Sequence, residues 1–191
     1  MQPCRIAAED LACRRGDRVL FRALGFALGP GDALHVGGAN GIGKSSLLRI
    51  AAGLLPAFAG MVRRQGAAGL LDERAALDGH RPLYQALGFW AGLDGAATDL
   101  DRVGLDRLAD VPVGYLSTGQ RKRAAFARLL AQRAPIWLLD EPLNGLDTAG
   151  TKLAEALIAR HRAGGGIVIA ASHQPIAMPG AQAIDLAGYA P

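Results

Sequence analysis

At 191 residues the chain is long enough for one sizeable hydrophobic core and short for two separate domains. Half of its residues are hydrophobic, yet no apolar run approaches the ~18 residues of a membrane span, and residues 1–10 lack the charged-then-apolar order of a signal peptide, so a soluble cytoplasmic chain is expected. The net charge of +4 gathers at Arg14-Arg15, Arg63-Arg64 and Arg121-Lys122-Arg123, where solvated faces are the expected explanation and an anionic partner is also allowed.

Up to about residue 28 the pattern is one of short strands, with turns at Arg15-Gly16-Asp17 and Gly29-Pro30-Gly31-Asp32. Cys4 and Cys13 have no matching cysteine or histidine cluster and read as buried thiols in a reducing compartment. Leu34-His35-Val36 reads as a strand end, and residues 46–52 as a helix. Between them lies Gly38-Ala39-Asn40-Gly41-Ile42-Gly43-Lys44-Ser45, a full G-x-x-x-x-G-K-[ST] phosphate loop. Its glycines let the backbone curl so that successive N–H groups point at phosphate oxygens. Lys44 reaches the β- and γ-phosphates, the Ser45 hydroxyl is placed to ligate Mg²⁺, and Ser46 joins the candidate contacts. The positive end of the helix dipole beneath the phosphates is worth ~0.3–2 kcal/mol. This loop commits the chain to binding a nucleoside triphosphate.

Gly53 ends the helix and Pro56 prevents its continuation; residues 61–64 and 68–71 are strand candidates. From about residue 72 to 112 the pattern changes. Leu83, Leu87 and Trp90 recur at helical spacing, and residues 99–108 predict a second short helix. A helix over 119–131, a buried strand over 136–139, a helix over 149–163 and strands over 167–171 and 183–186 follow. Apolar strands alternating with helices predict an α/β fold with a mainly parallel sheet covered on both faces, and residues 72–112 read as an insertion.

Three later segments narrow the class. Leu116-Ser117-Thr118-Gly119-Gln120 opens a helix with a serine hydroxyl and backbone N–H groups, the makings of a second phosphate site, though an ordinary N-cap has the same appearance. Ile136-Trp137-Leu138-Leu139-Asp140-Glu141 is an apolar strand ending in two carboxylates. Asp140 is suited to hold Mg²⁺, and Glu141 to act on a water attacking the γ-phosphate, as general base or positioner. His173 follows the strand at 167–171, whereas His35, His80 and His161 have no such setting and read as structural or solvated.

In order and spacing these segments, spanning residues 38–173, resemble the ABC (ATP-binding cassette) ATPases. Residues 116–120 resemble that family's L-S-G-G-Q signature with Thr118 in place of the first glycine, and residues 142–147, ending in Asp147, resemble its D-loop. The resemblance implies an α/β P-loop NTPase fold, with a mainly parallel core, an N-terminal antiparallel β subdomain and a helical subdomain inserted at about residues 72–133 of one ATP-binding domain spanning 1–191. It implies a head-to-tail homodimer in which each ATP, with its Mg²⁺, lies between the phosphate loop of one chain and Ser117, Gly119 and Gln120 of the other. Asp147 would reach the partner, and His173 would contact the γ-phosphate.

Two positions depart from the family pattern. The aromatic residue that stacks on adenine is replaced by Arg15, whose guanidinium plane also stacks on a base; Phe21 is the alternative. The Q-loop glutamine falls at Asp72-Glu73-Arg74, where Glu73 is either an acidic substitute or a solvated loop charge.

Within the family, Cys13-Arg14-Arg15-Gly16, Ser45-Ser46-Leu47-Leu48-Arg49, Leu83 with Phe89-Trp90-Ala91, Gln120-Arg121-Lys122-Arg123 and Ile136 through Pro142 are similar to the ATP-binding subunits of cytochrome c maturation. That branch implies an integral membrane permease as partner, a peripheral position on the cytoplasmic face of the bacterial inner membrane, and ATP hydrolysis supporting haem delivery. An ABC ATPase for another small-molecule or lipid cargo shares every catalytic residue. A soluble ABC protein acting on ribosomes or nucleic acid would use the basic helix at 121–133, but such proteins carry paired cassettes or long coiled-coil insertions, so no nucleic acid is expected.

Overall fold

The computed structural model describes residues 4–72 and 75–190. Arg5–Arg15 (β1) and Arg18–Leu28 (β2) form an antiparallel hairpin about the Gly16-Asp17 turn. Both strands run eleven residues, longer than the short strands expected. A bulge explains the difference: Asp10 sits at φ +47 and the register shifts between Ala8 and Leu11. The extra residue breaks the apolar alternation in sequence while keeping Ile6, Ala8, Leu11 and Cys13 all buried.

Ala33–Gly37 (β3) leads through the phosphate loop into Lys44–Ala52 (α1), which Gly53 ends at φ +79 by donating to the Arg49 and Ile50 carbonyls. Ala59–Gln65 (β4) pairs with β1, giving an antiparallel sheet of order β2-β1-β4. Next come Ala68–Leu71 (β5), Leu83–Leu93 (α2), Thr118–Ala131 (α3), Ile136–Asp140 (β6), Thr148–Ala163 (α4), Ile167–Ala171 (β7) and Gln182–Asp185 (β8). The second sheet runs β5-β6-β7-β3-β8, and every pairing in it is parallel.

The strand period of two divides the interior into two cores. Ile136 and Leu138 of β6, Ile167 and Ile169 of β7, and Leu34 and Val36 of β3 pack with Leu47 and Leu48 of α1 and with Phe21, Leu24 and Phe26 of the hairpin. On the other face Trp137, Leu139, Val168 and Ala170 pack with Phe126 and Leu129 of α3 and Leu157 and Ile158 of α4. Both strands β6 and β7 are buried at every residue, which is why they read as unbroken apolar runs.

Between β5 and α3, α2 is tied to the returning chain: the Leu83 and Tyr84 N–H groups donate to the Val111 and Ala109 carbonyls at 2.9 and 3.0 Å. The helix expected over 99–108 is instead two single 3-10 turns, Asp101–Val103 and Asp106–Leu108. Gly104 stands between them at φ +63, a left-handed conformation that stops helix propagation. The last strand ends one residue earlier than expected, because Leu186 begins a 3-10 turn capped by Asp185.

The run Arg121-Lys122-Arg123 is only in part the solvated face that its charge suggested: Arg121 is exposed, while Lys122 and Arg123 are half-buried. Successive helical residues point about 100° apart, and each of these finds a different backbone carbonyl: Arg121 bonds Leu116, Lys122 bonds Glu141 at 2.9 Å, and Arg123 bonds Val103 and Gly104 at 3.2 and 3.0 Å. Likewise Arg64 bonds the Ala51 carbonyl, and Arg14 lies over the Phe58 ring. Among the described residues, no helix is long and apolar enough to cross a membrane.

Candidate active site

The C-terminal ends of β3, β6 and β7 open onto a cleft of about 490 Å³, as expected of an open parallel sheet. The phosphate loop forms one wall. Gly38 and Gly43 hold φ +127 and +121, a region closed to other L residues. A side chain at Gly43 would also place its Cβ 3.1 Å from Phe21, and one at Gly38 would meet Ile42 at 3.0 Å. Lys44 is only 7% exposed, and its ammonium donates to the Gly38 and Ala39 carbonyls at 2.8 and 3.3 Å. The loop thus wraps its own lysine and holds it within the fold.

Asp140, the last residue of β6 and 5% exposed, lines the same cleft as Ser45. The next residue, Glu141, takes φ +46, a conformation that costs a side-chain-bearing residue ~1–3 kcal/mol. Its backbone is held on both sides. The N–H donates to the Ala171 carbonyl at 2.8 Å, and its own carbonyl accepts from Lys122 Nζ at 2.9 Å and from the Asn144 N–H at 3.3 Å. The twist turns the carboxylate into the cleft, where Oε2 lies 2.9 Å from His173 Nδ1. Glu141 is 13% exposed there and His173 50%, so the pair spans the interior and the mouth. His173 is carried by the crossing after β7, where the Ser172 N–H bonds the Val36 carbonyl and Ser172 Oγ accepts from the Gln174 N–H.

Of the two candidates for stacking on the base, Arg15 lines the cleft beside Leu20. Phe21 does not: it is fully buried, packed beneath Gly43, and cannot meet a ligand. Alternation along β2 explains this, since Leu20 and Phe21 face opposite sides. Glu73 lies outside the described residues.

Ser117, Gly119, Gln120 and Asp147 are not among the residues lining the cleft. Ser117 and Gln120 form a capping box at the start of α3, with Ser117 Oγ accepting from the Gln120 N–H at 3.2 Å and Gln120 Oε1 from the Ser117 N–H at 2.8 Å. Asp147 caps α4 by accepting from the Gly150 N–H at 2.7 Å. The two motifs are packed together, because a Cβ on Gly119 would come 2.9 Å from the Gly145 carbonyl oxygen.

Arg49 and Asn144 also line the cleft, though neither was expected among the site residues. Arg49 follows Ser45 by one helical turn, a spacing that would have found it. Asn144 carried no such signal. Of the other histidines, His161 is buried, stacked on Trp137 at 4.0 Å between ring centroids, and lies 3.2 Å from the Pro135 carbonyl oxygen. Burial pushes its pKa down to about 4. Cys4 and Cys13 are free and buried, and burial pushes both thiols up. Among the described residues, no cluster of three or more histidine, cysteine or acidic side chains could hold a metal ion.

A glycine-rich loop at a helix start, facing paired strand-end carboxylates and a histidine on a parallel sheet, defines an ATPase of the P-loop class. A sequence model of the ABC transporter family matches residues 21–144. The chain is 56% identical, over all of both chains, to the cytochrome c biogenesis ATP-binding export protein CcmA of Novosphingobium aromaticivorans. The protein so named from Rhodospirillum rubrum is 46% identical over 99% of this chain and 88% of its own. A solved structure described as an ABC transporter ATP-binding protein from Pyrococcus furiosus superposes with a TM-score of 0.84 at 22% identity, covering 98% of this chain and all of that one, and bears on the fold alone. The chain belongs to the ATP-binding subunits of ABC transporters, in the group of cytochrome c biogenesis ATP-binding export proteins.

Proposed function

We propose that this chain hydrolyses ATP to drive haem delivery for c-type cytochrome assembly, acting as a homodimer on a separate integral membrane permease at the cytoplasmic face of the inner membrane. The observation that carries the hydrolysis is the gathering of Lys44, Ser45, Asp140, Glu141 and His173 around one cleft, and the 56% identity to a cytochrome c biogenesis ATP-binding export protein supports the haem reading. Residues 1–191 act as one ATP-binding domain, with about 72–133 as its helical subdomain.

Lys44 exchanges the carbonyls of Gly38 and Ala39 for phosphate oxygens, while the main-chain N–H groups of residues 39–45 orient the β- and γ-phosphates. Ser45 and Asp140, which both line this cleft, offer the oxygen ligands that Mg²⁺ prefers. Held by these two residues, Mg²⁺ would supply neutralisation of the charge that develops on the phosphates. Glu141 takes the proton of the attacking water, and His173 steadies its carboxylate. Ser117 and Gly119 lie outside the cleft at an exposed helix start, which suits a second half-site offered to a partner chain's nucleotide.

The test pairs chemistry with company. Glu141→Gln should bind ATP by calorimetry yet lose ~10²–10⁴-fold in kcat, whereas Lys44→Ala should lose binding. Affinity capture from detergent-solubilised membranes should recover an integral membrane protein. Parental hydrolysis by Glu141→Gln would refute the base assignment, and recovery of ribosomes in place of a membrane protein would refute the transport reading.

A further inference from the structure

We infer that Lys122 is a positioning residue for hydrolysis: by gripping the Glu141 carbonyl it holds the left-handed backbone turn that aims the Glu141 carboxylate into the nucleotide cleft. The inference rests on the reading of Glu141 as the base. Lys122 lies one helical turn into α3, in the basic run after the capping box, and nineteen residues from the group it bonds. It is not among the residues lining the cleft, and its ammonium donates to the Glu141 main chain. Instead it lines a neighbouring cavity with Thr118 and Asn144, and Asn144 faces both spaces.

The peptide planes on either side of Glu141 decide where its Cβ points. Ala171 fixes the first through the Glu141 N–H, and Lys122 with the Asn144 N–H fixes the second through the Glu141 carbonyl. Left-handed φ is unfavourable for a glutamate, so the turn persists only where such partners over-determine it. A carbonyl accepting from an ammonium is a stronger restraint than one accepting from a neutral donor. With the clamp removed, the neighbourhood of φ +46 competes with ordinary conformations, and Oε2 loses its fixed place beside His173 Nδ1. The contact also ties the base to the helix that carries Ser117, so displacement of α3 moves Glu141.

The experiment is a double-mutant cycle on the whole chain, measuring kcat by phosphate release and Kd for ATP by calorimetry. Lys122→Met should lower kcat about tenfold, the loss of one charge-assisted hydrogen bond, with Kd changed less than about twofold. Lys122→Arg, which keeps a cationic donor, should retain at least about half of kcat. In the Glu141→Gln background, Lys122→Met should add less than about twofold, because both changes act on the same group. Lys122→Gln takes the place of the methionine variant if that one fails to fold. Full kcat in Lys122→Met beside a slow Glu141→Gln overturns this inference alone. So does a parallel weakening of Kd, equal losses in the Met and Arg variants, or a tenfold effect that persists without Glu141. A Glu141→Gln variant that hydrolyses at the parental rate overturns the inference together with the base assignment.

Discussion

Burial of His161 makes stability depend on pH. Its ring is stacked on Trp137, bonded to the Pro135 carbonyl, and so closely packed on Gly166 that a Cβ there would collide with it. Burial is the dominant cause of the fall from 6.5 to about 4, and the hydrogen bonds to Pro135 and Ile167 oppose it. The folded chain therefore keeps the ring neutral until pH nears 4, while the unfolded chain protonates it near 6.5. Between those values the unfolded state binds more protons, so this contribution is complete above 6.5 and is lost as pH falls toward 4. The whole span is worth about 3 kcal/mol, and about 2 of it disappears between about pH 7.5 and about pH 5. His161→Phe keeps an aromatic ring against Trp137, and the Pro135 carbonyl still accepts from the Ile167 N–H at 2.9 Å. Urea unfolding of both proteins at the two pH values is the assay. The stability difference between them should shift toward the variant by about 2 kcal/mol at the lower pH. Parallel losses in the two proteins would refute the reasoning.

Arg15→Ala should weaken ATP binding about three- to tenfold, and Arg15→Tyr should restore it by supplying an aromatic plane; a weaker tyrosine variant would argue against stacking. Phe21→Ala should instead cost about 3–5 kcal/mol of stability in urea melts, since the ring it removes is fully buried. Gly145 sits at φ +79 with a would-be Cβ 2.7 Å from Thr118 Cγ2, so Gly145→Ala should destabilise by about 1–3 kcal/mol. Thr118→Gly should relieve part of that cost by removing the opposing methyl, and an additive loss in the double variant would contradict the packing described.

Much of the architecture could be read along the chain because its determinants are local. The phosphate loop is a contiguous backbone device, and Gly38, Gly43, Lys44 and Ser45 sit where their order put them. Strands β6 and β7 announced themselves because residues buried on both faces leave no polar interruption. Ser117 with Gln120 marked the start of α3 by the same short-range logic. Where a single backbone conformation intervened, pattern failed: Asp10 at φ +47 hid the length of the hairpin strands, and Gly104 at φ +63 split a predicted helix.

Tertiary structure decided the pairings between residues far apart in sequence. It chose Arg15 over Phe21 at the cleft, because burial depends on which sheet covers a strand face. It set His173 2.9 Å from Glu141, thirty-two positions away, by laying β6 and β7 side by side. It also turned three consecutive basic residues toward four separate carbonyls, one of them on Glu141. Charge along a helix specifies how many cations there are; only packing determines which acceptor each one reaches, since direction in space belongs to the folded chain.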